Sequence, residues 1–224
     1  FAVRLTENGS IDPSFASGVA VNSLDAAAFH VARVTVDAAN GNVVVVGNKS
    51  GGGGPIAGSE PVPSSAGIAL FRFGPSGLVD TSFGGKGAVF HGDGAALDAY
   101  TANGVTIVGG YTGNNVPSMK PAVFRWSASG APDSGFGSGG RLVLAGIEGA
   151  GLGRIRRLTV DGMGRIVAIG GYHSTQGSAV TFITRLDNAG RLDPSYGANG
   201  SSSFNVQTPE PEIDPQGNAL FRAP

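Results

Sequence analysis

Asp133-Ser134-Gly135 sets a hydroxyl beside a carboxylate in a glycine-rich turn, a place where a serine nucleophile could sit. Acyl transfer from such a serine needs a His to take its proton and an acid to orient that His. The chain has three His, at His30, His91 and His173, and no pair of them has metal-ligand spacing. His91-Gly92-Asp93 could border a site if the fold brought a second group to it, but a lone loop His is more often simply solvated. The glycine run Gly51 to Gly54 lacks the Gly-Lys-Ser/Thr ending of a phosphate loop. Calcium is the one cation the Asp- and Asn-rich turns could suit, although no complete acidic loop is present.

The tripeptide at Asp133 loses its catalytic look because it recurs. Asp80-Thr81-Ser82 and Asp193-Pro194-Ser195 stand at the same point of a longer pattern: Arg, Gly five residues on, Asp three further, and an aromatic three beyond that. The pattern fits Arg4/Gly9/Asp12/Phe15, Arg72/Gly77/Asp80/Phe83, Arg125/Gly130/Asp133/Phe136 and Arg185/Gly190/Asp193/Tyr196. A catalytic site is usually built once, whereas a scaffold contact is built in every repeat. An Arg on an apolar strand needs a partner, and the Asp eight residues later supplies one, within its own unit or across to the next.

The elements that position these residues follow from the repeat. Arg-to-Arg spacings of 68, 53 and 60 residues, with several short strands per unit, point to a propeller rather than a solenoid. Each unit opens with an apolar strand ending just past its Arg: Phe1 to Leu5, Ile68 to Phe73, Ala122 to Trp126 and Phe182 to Leu186. On one face of these strands the sizes compensate, Phe1 with Leu5, Ala69 with Phe73, Ala122 with Trp126 and Phe182 with Leu186, as a conserved packing volume demands. A second short strand follows each motif, at Gly87 to Phe90, Arg141 to Leu144, Ser202 to Val206 and, less clearly, Val19 to Asn22. A hairpin completes the unit: Val34 to Asp37 with Val43 to Gly47, and Leu158 to Asp161 with Ile166 to Gly170, each through turn glycines. The second unit carries Asn103-Gly104, and the fourth is shortened.

The expected fold is therefore all-β, a propeller of four four-stranded repeats (1–67, 68–120, 121–179 and 180–224) in a single domain, either a closed four-bladed ring or an arc of a larger propeller. Sixteen strands are expected. In a closed ring the first two strands would complete the sheet begun by the last two, which puts Phe1 and Phe221 in neighbouring strands.

Composition narrows the function. Lys, Arg, Asp and Glu together make 14% of the 224 residues and the net charge is -1, so nothing marks the chain for nucleic acid or an anionic membrane surface. No apolar run reaches the length of a membrane span, and without Cys there is neither a disulfide framework nor a Cys-based metal site. The first residue is Phe1 rather than Met, which fits a processed precursor or a piece of a longer parent chain.

The segments Phe71 to Gly84 and Thr184 to Gly197, each beside a hairpin of the form Val-Asp-x-x-Gly-x-Ile-Val-x-x-Gly, resemble the bacterial delta-60 repeat. The resemblance covers almost the whole chain, with departures at Ala16, at Ala131-Pro132 and Gly135, and in the short fourth unit. It implies a β-propeller-like array in an exported or cell-surface bacterial protein. It brings no catalytic residues.

Binding on such a scaffold belongs to variable loops gathered at one end. Asn48 to Gly67, Tyr111 to Lys120 and Tyr172 to Ala179 occupy the same point of successive repeats and differ in length and content. Tyr111, Asn114, Asn115, Tyr172 and His173 offer aromatic faces and amides suited to a sugar or a peptide. The leading expectation is an exported, non-enzymatic module that recognises a protein or glycan through these loops, with no cofactor. The alternatives are a hydrolase with a His/Asp site in the central channel and a structural segment of a larger bacterial surface protein.

Overall fold

The computed structural model describes residues 1–21, 29–50, 65–113, 118–144, 153–173, 178–204, 212–214 and 219–220. Asn114 and Asn115 lie outside them, as does Phe221. The hairpins form where β-branched runs flank a turn, and each recruits the next two strands in sequence. Thus β1 (Phe29–Val36), β2 (Val43–Ser50), β3 (Ser65–Phe73) and β4 (Ala88–His91) make one antiparallel sheet in the order β1-β2-β3-β4. The second holds β5 (Ala95–Ala102), β6 (Val105–Thr112), β7 (Lys120–Trp126) and β8 (Arg141–Val143). The third holds β9 (Arg154–Val160), β10 (Ile166–His173), β11 (Ala179–Leu186) and β12 (Ser201–Phe204). Each sheet takes its hairpin from one sequence repeat and its outer strands from the next.

The fourth sheet is divided, which corrects the expectation of a closed ring. β13 (Glu212–Ile213) and β14 (Ala219–Leu220) pair only with each other, and Phe1 to Leu5 makes two isolated bridges, Ala2 to Ala20 and Leu5 to Ile11. The described residues therefore form fourteen strands and no closed four-bladed ring. The reason is cooperative: without a hairpin hydrogen-bonded alongside, the first apolar segment has no ladder to extend.

The three complete sheets stack face to face as blades of an arc. Their first strands, β1, β5 and β9, lie side by side at the inner edge, and β13 approaches β9. Each complete inner strand carries a bulge at the same place, at Ala32, Leu97 and Arg156, which adds local twist and bends the strand. Val44, Val46, Ile68 and Leu70 of the first blade pack on Val108, Phe124 and Trp126 of the second. Val123 and Phe136 of the second pack against Ile155, Leu158, Phe182 and Leu186 of the third. The size compensation holds for three of the four pairs, since Ala69 and Phe73, Ala122 and Trp126, and Phe182 and Leu186 are all buried, and it fails for Phe1 and Leu5, which are both exposed.

The repeated Arg joins one unit to the next. Arg72 Nε donates to Asp80 Oδ2 at 2.7 Å, its Nη2 to the Ser82 hydroxyl at 3.2 Å, and its guanidinium lies 4.4 Å from the Phe83 ring centroid. Its remaining terminal nitrogen, Nη1, crosses to the Ala128 carbonyl of the following unit at 2.6 Å. Arg4 does the same with Asp12, Ser14, Phe15 and the Pro75 carbonyl. Arg125 pairs with Asp133 and, where Gly135 replaces the serine, makes two contacts to Asn188 instead, through its carbonyl and side-chain oxygens. Beside each crossing Arg a backbone N–H also crosses, Ala16 to Ser76, Gly84 to Ser129 and Gly137 to Ala189, at 2.7, 2.8 and 3.0 Å. Burial opposes ionisation of Asp80, but the hydroxyl and N–H of Ser82 and the charge of Arg72 outweigh it, and its pKa lies below the ordinary carboxylate value.

Polar side chains also pin the blades near the inner edge. Asn48 is buried and both donates to and accepts from the Ala96 backbone, at 2.9 and 2.7 Å. Asp37 accepts the N–H groups of Asn103 and Gly104 in the next hairpin turn, so its burial does not leave the carboxylate unsatisfied. Asp98 on β5 bridges both neighbours, 3.3 Å from Arg33 Nε on β1 and accepting the Leu158 N–H of β9 at 3.0 Å.

Candidate binding cleft

The strands flanking the loops singled out in the sequence, β2 and β3, β6 and β7, and β10 and β11, hold equivalent places in the three sheets. Most of their residues lie outside the described ones. Tyr111 and Tyr172 are not equivalent, although each follows a Gly-Gly pair. Arg125 stands opposite Ile107 and Arg185 opposite Val167, so Tyr111 is four residues past that mark and Tyr172 five. A one-residue offset in a strand turns a side chain to the opposite face. Tyr111 is accordingly 2% exposed, packed with Ala95 and Met119, while Tyr172 lies at the edge of the third blade's core.

Tyr172 borders an open cleft of about 490 Å³ on the third blade, with Phe182, Ala198, Ser201, Ser202, Ser203 and Phe204. The strand pairing explains its chemistry. Ser201 to Phe204 of β12 run antiparallel to β11, with Ser203 opposite Phe182 and Phe204 opposite Thr181. The corresponding strand of the first blade is Ala-Val-Phe-His, and of the second Arg-Leu-Val, so at Ser202 and Ser203 the third blade has hydroxyls where the others have apolar side chains. Thr184 is fully buried beneath, taking the Ser201 hydroxyl proton at 3.0 Å and donating to the Gly200 carbonyl at 3.0 Å. Among the described residues, Ser202 and Ser203 hydroxyls have no hydrogen-bond partner within the chain. The Tyr172 and Phe182 rings stand 6.3 Å apart at 33°, and Phe204 adds a part-exposed ring. Sequence reasoning missed Phe182, Phe204 and the three serines, because the run reads only as a weak strand until its partner is known. His173 is exposed, and as the next residue along β10 it lies on the opposite face from Tyr172. Of the three expected residues that are described, Tyr111, Tyr172 and His173, Tyr172 lines this cleft.

The three His sit on β1, β4 and β10, and among the described residues no three His, Asp or Glu gather in metal-binding range. His91 lies between the first two blades, its ring 5.2 Å from that of Phe124 and 6.3 Å from that of Trp126. Its buried Nε2 has no hydrogen-bond partner. Burial, then the charge of Arg141, lower its pKa, against the opposing pull of Asp93. Asp93 is itself engaged with the Thr112 hydroxyl, the Gly113 N–H and Arg141 Nη1, the last at 2.7 Å. These bonds outweigh the burial that opposes its ionisation and lower its pKa. His91 and Asp93 are placed as parts of an inter-blade joint, with the nearby Thr112 hydroxyl already committed to Asp93.

No helix among the described residues is long and apolar enough to cross a membrane. None of the curated proteins matches the chain. Two segments, residues 1–15 and 164–196, match a family described as a domain of unknown function (DUF5122) beta-propeller. Both segments carry the Arg-Asp-aromatic motif, and the second adds the hairpin strand β10, so the similarity falls on the residues that join one blade to the next.

Proposed function

We propose that the chain is a non-enzymatic binding module of an exported bacterial protein, and that it takes a glycan in the cleft on the third blade. The observation that carries this reading is an open cleft at the edge of the blade where Tyr172 shares one face of the sheet with the uncommitted Ser203 hydroxyl, while Ser202 and Phe204 line it from the other side of β12. A sugar ring presents axial C–H groups to an aromatic face and hydroxyls to hydrogen-bonding side chains, so both halves of the cleft have a counterpart. Apolar walls with a few placed polar groups are the usual makeup of a small-molecule site. The exported, bacterial part of the reading is supported by the resemblance to the delta-60 repeat.

Titration of the chain with a panel of oligosaccharides, followed by backbone NMR, tests the proposal. Saturable shifts of Ser201 to Phe204 and Tyr172 are expected, and Tyr172→Ala is expected to weaken binding about tenfold, the loss of roughly one stacking contact. Shifts confined to the inter-repeat loops would move the site there, and a peptide ligand in place of a glycan would change the ligand class.

A further inference from the structure

The inter-unit joint is made three times inside the chain, and among the described residues its two halves also stand unjoined at the two ends of the arc. In each internal joint the Arg of one unit donates through Nη1 to the carbonyl three residues after the next Arg: Pro75, Ala128 and Asn188. The N–H just after each aromatic donates to the following carbonyl, Ser76, Ser129 or Ala189. The next residue is a turn glycine that lies against the previous unit's aromatic region. A Cβ at Gly77 would come within 2.9 Å of Ala16 and 3.0 Å of Phe15, one at Gly130 within 3.1 Å of Phe83, and one at Gly190 within 2.8 Å of Phe136.

At one end of the arc stands the donor half with no turn to receive it. Arg185 pairs with Asp193 and Ser195 and lies over Tyr196, as the other Arg residues do in their own units. Among the described residues, however, its Nη1 meets no carbonyl and the Gly197 N–H crosses to none. Tyr196 is only half-buried, while Phe15, Phe83 and Phe136 are fully covered.

At the other end stands the acceptor half, already folded. Thr6 N–H donates to Ser10 and Gly9 N–H to Thr6, the same two bonds that close the turn at Gly74 to Leu78, and Gly9 has φ +80° where Gly77 has +81°. Yet a Cβ on Gly9 would meet nothing within 4 Å. Leu5, the counterpart of the buried Phe73, is 60% exposed, and Ile11 is 56% exposed. Nine of the fourteen large apolar side chains exposed among the described residues fall between Phe1 and Val36. Exposed apolar side chains at the turn, such as Leu5 and Ile11, mark an interaction surface.

We propose that these two ends bind each other between copies of this chain, head to tail. Arg185, Tyr196 and Gly197 of one copy receive the turn Glu7-Asn8-Gly9 of the next, with Leu5 and Ile11 covering Tyr196. Glu7 and Asn8 hold the offsets from Arg4 that Pro75 and Ser76 hold from Arg72, so the three internal joints define the partner's chemistry. The interface is heterologous, and it propagates until a ring closes.

Sedimentation of the intact chain over a wide concentration range tests this. The weight-average mass is expected to rise with concentration through multiples of the chain mass. Leu5→Glu with Ile11→Glu blocks the turn end and Tyr196→Glu blocks the notch. Both positions are at least partly exposed in a single copy, and circular dichroism checks the folding of each variant. Each blocked variant is expected to stay monomeric alone, and the two mixed are expected to give a one-to-one dimer, because each keeps the end the other lacks. If Tyr196→Glu does not fold, Arg185→Lys takes its place: it keeps the charge against Asp193 but not the crossing nitrogen, and should weaken association about tenfold. A wild-type chain that stays monomeric throughout would overturn the proposal. So would a mixture of blocked variants that forms no dimer. A monomer whose melting temperature falls in the Leu5/Ile11 variant would assign the joint to the chain's own two ends and equally overturn pairing between copies.

Discussion

Arg72 and Arg185 occupy the same place in their repeats and meet the same three partners in their own unit, an Asp, a Ser and an aromatic ring. Arg72 also reaches a carbonyl in the following unit, and among the described residues Arg185 reaches none. The ring beneath Arg72 is fully buried, and the ring beneath Arg185 is half-open. The residues are the same and the surroundings differ, so the motif is one half of a joint whose contribution depends on the unit that follows. A binding or catalytic role for the motif would have set one unit apart by its residues, whereas here position in the arc sets it apart.

Arginine replacement gives the largest contrast. Arg72→Ala takes the buried guanidinium from the part-exposed Asp80, which keeps its Ser82 bonds, and leaves the Ala128 carbonyl unpaired, at a cost of about 3 kcal/mol, the lower end for breaking a buried pair. Arg185→Ala breaks no crossing bond and leaves Asp193 with its Ser195 bonds and Arg165 at 3.8 Å, so it is expected to cost less, by the roughly 1.5–3 kcal/mol of a hydrogen bond from a charged donor. Urea unfolding of both variants, dilute enough to keep single copies, measures the difference. Equal losses would mean that the crossing bond adds nothing at the internal joint.

The turn glycines sharpen the comparison, because backbone strain cancels. Gly77 and Gly9 share φ near +80°, so alanine at either forces an L-residue into the left-handed region at about 1–2 kcal/mol. At Gly77 the new methyl also enters the Ala16 and Phe15 contact, while at Gly9 it meets open space. Gly77→Ala is expected to lose about 1–3 kcal/mol more, the usual cost of overpacking. Matching losses would show that the neighbouring unit yields, and would remove the packing half of the joint.

Much of this was legible in the sequence. The Arg-Gly-Asp-aromatic spacing fixed the repeat, the turn glycines fixed the hairpins, and the compensation of Ala69 with Phe73 against Phe182 with Leu186 foretold a shared packing layer. The crossing bonds were less accessible, since a carbonyl acceptor is the same whatever residue bears it, and Pro75, Ala128 and Asn188 have no side-chain type in common. The division of the fourth sheet was hidden for a related reason. Phe1 to Leu5 reads as a strand by composition, but strand pairing depends on a neighbour that composition does not supply. At the cleft, the sequence pointed to Tyr172 through its aromatic side chain and to Tyr111 for the same reason. Only the register, one residue apart, separates a cleft wall from a core side chain. Ser201 to Ser203 carried no signal until their place opposite Phe182 was known.

The smallest effect distinguishes the two interfaces between complete blades. His91 stands opposite Ile68 at the first, the position that Leu144 fills opposite Pro121 in the second blade. Burial makes the protonated ring unfavourable there, Arg141 adds to this, and the folded-state pKa lies below the ordinary 6.5. A depressed His pKa means that the unfolded chain binds the proton more readily, so stability is complete above pH 6.5 and declines as the pH falls through 6.5 toward the folded-state value. The carboxylates Asp80 and Asp93, with pKa values below the ordinary 3.8, add a separate loss that begins only as the pH falls below that value. His91→Leu, which installs the side chain used at the other interface, is expected to flatten the decline below pH 6.5 and leave the acidic limb in place. Urea midpoints measured from pH 8 to pH 3 resolve the two limbs. If the decline below 6.5 survives the substitution, then His91 is not the group that makes the first interface acid-sensitive, and the two interfaces differ only in packing.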